Sequence, residues 1–169
     1  DTYRRRVMQK LALDTRAARE DTGARIELEG VLGADTAGRD ASFLRVSGEL
    51  GGYVDIHARR VVGLRLFASA TEPLDEGPIP FIELPTLGGS EPMRAFVDGR
   101  LRDRSTLGAI LEYRWPIWVF LDGTLFAELG NVFGPAWKGL SADDLRMSFG
   151  MGVRPASRED HPFELLFAV

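Results

Sequence analysis

The chain contains no cysteine and only two histidines in 169 residues. Without cysteine there is no disulfide scaffold and no thiolate metal site, and either a reducing or an oxidising compartment suits it. His57 and His161 lie far apart and form no ligand cluster, so no metal and no cofactor is expected. Long apolar runs are also missing. The longest falls far short of the ~18–20 residues of a transmembrane helix, which excludes helical spans. It does not exclude a membrane barrel, whose strands are short and half apolar. Basic excess is lacking too: the net charge of −4 argues against a nucleic-acid partner. The opening Asp-Thr-Tyr-Arg-Arg-Arg carries no apolar h-region, so no signal peptide is read there. With Asp as residue 1, the expectation is a fragment or a processed product.

What is present is enough for one domain with a sizeable core. An apolar content of 44% and a charged content of 27% place the chain among ordered proteins. The dominant period is two. In Arg25–Asp35 the even positions Ile26, Leu28 and Leu32 oppose Arg25, Glu27 and Glu29. Ser42–Ile56, Arg60–Thr71, Thr106–Val119, Leu121–Phe133, Leu145–Arg154 and Pro162–Val169 repeat the alternation. Arg4–Arg16, with Val7, Leu11 and Leu13 in step, is a weaker eighth candidate.

Turn residues separate these segments. Arg19–Gly23, Asp35–Asp40 and Ser157–Pro162 are rich in Gly, Asp, Ser or Pro, as hairpin turns are. Two connections are longer. Glu72–Ser105 far exceeds the usual loop length, which marks a functional or a disordered segment. Gly134–Asp144 contains Ser141-Ala-Asp-Asp, the signature of a cap on a short helical turn.

Alternation alone leaves the solvent side open: a soluble barrel or sandwich binding a small ligand has the same period. Two features point to lipid. Most segments run roughly 9–13 residues, against about 9–11 for a membrane-spanning strand and about 5–6 for a soluble one. Aromatic residues also cluster at strand ends, as Tyr113, Trp115, Trp118 and Phe120, and as Phe133 with Trp137, in the manner of interfacial girdles.

The richest stretch is Leu87 to Gly134. It places an arginine on the long loop and one glutamate, Glu112 or Glu128, on the polar face of each strand that follows. A buried arginine needs such partners, because an unpaired charge out of water is costly. The order Leu87-Gly-Gly, Met93-Arg-Ala-Phe, Glu112-Tyr-Arg-Trp-Pro-Ile, Phe126-Ala-Glu-Leu-Gly-Asn-Val and Phe149-Gly-Met-Gly-Val-Arg resembles the bacterial surface antigen family, across about Arg25 to Val169. That family comprises the BamA/TamA assembly proteins and the two-partner secretion pores.

The resemblance implies an all-β fold, an antiparallel transmembrane β-barrel in the bacterial outer membrane. About eight strands are present here, as the C-terminal half of a sixteen-stranded barrel, since an open half-barrel in lipid leaves unpaired edges. Residues 1–169 would then be the C-terminal part of the barrel domain, with a lumen loop at about 72–105. The implied function is insertion or translocation of other proteins, through a seam between weakly paired first and last strands, without bond chemistry. The implied partners are outer-membrane lipid, unfolded outer-membrane or secreted client proteins and periplasmic assembly partners. A dedicated secretion pore and a barrel fused to an upstream enzyme are the alternatives within this class.

Residue by residue, the resemblance makes Arg94 the loop arginine within Met93, Arg94, Ala95 and Phe96, preceded by the loop glycines Gly88 and Gly89. Glu128 stands where the family has aspartate, Gly130 matches that motif's glycine, and Glu112 is a second acidic partner. Ala95 replaces a motif glycine, so a positive φ there would be strained. Arg100, Arg102 and Arg104 are expected to be solvated loop charges, with lining of the pore as the alternative, and Trp115 and Trp118 to serve as lipid anchors and packing. These barrels usually end on a terminal aromatic, whereas this chain ends Leu-Phe-Ala-Val, so the native protein is expected to continue. No catalytic constellation is visible. Asp75/Glu76 and Asp143/Asp144 are loop carboxylates without a nearby nucleophile, and Gly150-Met-Gly is a strand pattern with no helix after it.

Overall fold

The computed structural model describes residues 4–16, 22–35, 41–89, 92–155 and 165–169. The cores of the turns expected at Arg19–Gly23, Asp35–Asp40 and Ser157–Pro162 lie outside the described residues, as does His161. The strands are β1 (Arg4–Asp14), β2 (Gly23–Asp35), β3 (Ala41–His57), β4 (Arg60–Pro73), β5 (Thr86–Leu87), β6 (Leu101–Arg102), β7 (Ser105–Trp118), β8 (Leu121–Phe133), β9 (Arg146–Pro155) and β10 (Leu165–Ala168). Eight of them form one sheet in the order β1-β2-β3-β4-β7-β8-β9-β10, antiparallel throughout. The weak candidate at the start is a full strand, paired with β2 from Arg4↔Asp35 to Asp14↔Arg25.

The two faces of the sheet follow the sequence period. Leu11, Leu28, Leu50, Leu64, Leu111, Leu125 and Phe149 stand out from one face and are exposed. Exposed apolar surface this continuous marks a membrane or partner surface. The opposite face carries Val31, Phe43, Tyr53, Val61, Ile110 and Phe126, all buried, together with the charged side chains.

The two ends of the sheet differ. At one, His57 and Arg60 are joined by Ala58 and Arg59, both at positive φ (48° and 66°), as in a type I′ hairpin. Asp55 braces that turn by accepting from the backbone N–H groups of His57 (3.0 Å) and Arg59 (3.2 Å). At the other end the β4–β7 connection folds back over the buried face. Its pair β5–β6 (Leu87↔Leu101) and Met93 build a small core of Leu87, Met93 and Leu101, packed on Phe67, Phe96 and Val132. Gly108 and Gly130 face each other across β7 and β8. A Cβ on Gly108 would lie 2.4 Å from the Phe67 ring, so these glycines make the room in which Phe67 meets the loop.

The β8–β9 connection contains 3-10 turns at Pro135–Trp137 and Ala142–Asp144. The Ser141 hydroxyl accepts from the Asp143 N–H, which caps the second of them. The Trp137 indole donates to the Thr106 carbonyl (3.1 Å) and Phe133 is buried. Phe133 is therefore turned inward and Trp137 is tied to β7, which differs from the lipid-facing girdle their positions suggest. At the other end Trp115 stacks on Tyr113, and Trp118 and Phe120 stay exposed at the β7–β8 tip.

Candidate functional site

The loop meets the wall at Arg94. Its chain arrives through Gly88 and Gly89, at φ 113° and 94°. Their N–H groups donate to the carbonyls of Pro92 and Phe96, both at 2.9 Å, which closes the loop into a compact turn. Only glycine adopts such φ values without strain. The positive φ expected near Ala95 falls instead at Met93 (69°), whose side chain is fully buried. The core contact of Met93 holds this strained backbone in place, and Ala95 is free of the conflict expected for it.

Arg94 has a side chain only 5% exposed. Its Nε lies 3.4 Å from Glu128 Oε1 and its Nη2 3.9 Å from Glu112 Oε2. The Arg94 backbone N–H donates to Glu128 Oε2 at 2.6 Å. The guanidinium also sits over the Phe126 ring, 4.1 Å from its centroid, where the π face adds to the attraction. Next in the chain, the Ala95 N–H donates to the Ser148 hydroxyl at 3.1 Å. Strand alternation explains the convergence: Phe126 and Glu128 are two apart on β8, and Phe126 pairs in register with Glu112 on β7.

The two glutamates are not equivalent. Glu112 also faces Arg114 Nε at 3.2 Å and Arg154 Nη1 at 3.8 Å. The Glu128 side chain is fully buried and pairs with Arg94. Removing one partner of a buried pair costs about 3–5 kcal/mol, so Glu128 is the carboxylate that depends most on the loop.

Sequence reasoning missed several members of this set. In the sequence Arg114, Ser148 and Arg154 are ordinary polar-face residues, and Phe126 enters only as the first residue of its motif. The signal available was parity, since all four share the face of Glu112 and Glu128. Two of the arginines expected to be solvated are engaged: Arg102 donates to the Phe81 carbonyl (2.7 Å) and lies over its ring, and Arg104 pairs with Glu72. Glu72 accepts in turn from the Ala136 N–H at 2.9 Å, tying the two long connections together.

A cavity of about 340 Å³ between the loop and β2–β4 is lined by Glu27, Arg45, Glu49, Arg65 and Leu87 among others. Glu27, Arg45, Glu49 and Arg65 pair with one another or with neighbours, as Glu27 does with Lys10 (2.5 Å) and Arg25 (2.7 Å). Among the described residues, no three His, Asp or Glu are grouped to hold a metal.

An antiparallel sheet apolar on its exposed face and ionic on its covered face, with a loop plugged against the ionic side, defines the class of outer-membrane barrel proteins. The chain belongs to the Omp85 superfamily, whose domain matches residues 21–169. That family comprises barrels for insertion or translocation of proteins at the bacterial outer membrane, assembly and transport devices and not enzymes. In fold, the chain is similar to BamA from Haemophilus ducreyi lacking POTRA domains 1–3, with a TM-score of 0.76 at 17% identity. The match covers 97% of this chain and 38% of that one, so the chain spans well under half of the BamA chain it matches. No curated protein matches it in sequence.

Proposed function

We propose that this chain is the C-terminal half of a sixteen-stranded outer-membrane barrel that assists insertion or translocation of other proteins. Unfolded outer-membrane or secreted proteins are its clients, lipid surrounds its apolar face, and periplasmic assembly partners act with it. The connection between β4 and β7, residues 74–104, is a lumen loop, and Arg94 is the charge that fixes it to Glu128 and Glu112. One observation carries this reading: a loop arginine buried against two wall carboxylates on the face opposite the exposed apolar one. The loop supports the wall from inside while the barrel seam opens toward lipid, and it performs no bond chemistry.

Reversing the charge in Arg94→Glu sets a third carboxylate against Glu112 and Glu128. The loop should come away from the wall while most strands remain folded. In a depletion-rescue assay with the full-length protein, the variant should fail to restore growth and outer-membrane protein levels. Full rescue would overturn the role given to Arg94.

A further inference from the structure

A second charged group of the same loop is buried, and the contacts of Arg94 do not account for it. Glu83 lies on the 3-10 turn Phe81–Glu83, its side chain only 3% exposed. A carboxylate so enclosed must be paired. Arg6 on β1 contacts its Oε1. Arg45 on β3 reaches its Oε2 at 3.3 Å and also donates to its backbone carbonyl. Arg45 is braced by Thr71 Oγ1 at 3.4 Å, on a side chain that is itself buried. Of the two arginines Arg45 is the more enclosed, at 22% against 49%, so it is the stronger partner.

We infer that Glu83 is a second positioning residue of the loop, an anchor whose polarity is opposite to that of Arg94. At one end a loop acid sits on wall bases from β1 and β3. At the other a loop base sits on wall acids from β7 and β8. The buried Leu87 and Met93 lie between them. The loop is thus a brace across the inner face, from the first strands of the sheet to the later ones. Opposite polarity also sets direction. A loop shifted along the wall brings Glu83 toward carboxylates or Arg94 toward arginines, and both are repelled.

This inference rests on the lumen-loop reading above, and its test uses a distance, not activity. Full-length protein with no other reactive thiol carries spin labels at Ile82→Cys, exposed beside Glu83, and at Met8→Cys, two residues from Arg6 on the same strand face. The unmodified anchor should give one narrow distance. Glu83→Arg should lose that narrow peak, and the swap Glu83→Arg with Arg45→Glu and Arg6→Gln should restore it, because the loop cation then meets a carboxylate and no facing arginine. If Glu83→Arg does not yield a folded barrel by heat-dependent gel mobility, Glu83→Gln, of equal size, replaces it and should lose the peak in part. A peak unchanged in Glu83→Arg, or in Glu83→Gln where that variant stands in, overturns the anchor. So does a swap that folds without restoring the peak, which would assign Glu83 to packing alone. Rescue of depletion by Arg94→Glu would overturn the functional reading and leave these distances as they are.

Discussion

Gly88 has a φ of 113°, and a Cβ built on it would lie 2.4 Å from the Val97 carbonyl oxygen. Backbone strain and collision act together there, about 1–3 kcal/mol for the strain alone. Gly88→Ala should therefore unseat the turn that delivers Arg94. Trypsin is the direct probe, because Arg94 is buried when the loop is docked. Cleavage after Arg94 in detergent should be roughly tenfold or more faster in the variant, since proteolysis follows the open population. Equal rates would mean that the turn is held by something other than its glycines. Met93 makes the complementary point. Its positive φ costs energy that its packing against Leu87 and Leu101 offsets, so a residue of unfavourable backbone conformation and a residue of the loop core are the same one.

At the scale of elements, the start of β3 is clipped to the segment after β4 by one carboxylate. The Ser42 hydroxyl and N–H both donate to Asp75 Oδ2 at 2.6 Å, and the Gly77 N–H donates to Oδ1 at 2.9 Å. The Ser42 hydroxyl bond first, then the backbone bonds, hold the Asp75 carboxyl below its ordinary value. With the folded pKa depressed, the stabilisation is fully present above the unfolded Asp range and is lost as pH falls through the folded value. The Ser42 amide resonance should accordingly titrate at a pH below that of an ordinary aspartate, and Asp75→Asn should abolish the titration. A midpoint at or above the ordinary value would contradict the clip.

The strands themselves were readable because a sheet with one apolar face writes its period directly into the chain, as in Leu107, Ala109, Leu111 and Tyr113. The ends were less so: β1 looked weak because Arg4, Arg5 and Arg6 interrupt its apolar rhythm, yet β2 pairs with it throughout. The Glu83 contacts could not be read at all. A glutamate between Pro80 and Pro85 looks like a surface loop acid, and nothing local links it to Arg6 or Arg45. Phe133 and Trp137 misled for the same reason. Position near a strand end suggests an interface, while the partners of Trp137, Ser105 and Thr106 on β7, lie some thirty residues away in the chain.

At the scale of the molecule, the apolar outer face and the charged inner face make opposite demands on solvent. Only lipid or detergent outside and a polar lumen inside satisfy both. The full-length protein, extracted in detergent, should run as a compact species before boiling and as a slower one after it. A protein recovered in the soluble fraction without such a shift would mean that the exposed face is covered by protein and that a soluble ligand-binding barrel is the better description.

The loop anchors also have a consequence in time. Glu83 finds Arg6 at a sequence separation of 77 and Arg45 at 38, while Arg94 finds Glu128 at 34 and Ala95 finds Ser148 at 53. Closing such contacts from an open chain is slow, and each partner exists in place only when its own strand has been laid down. The loop cannot seat before β1, β3, β8 and β9 are all present and in register. Its docking is therefore a late step of folding, and a seated loop is a report that the strands on both sides of it have been correctly assembled.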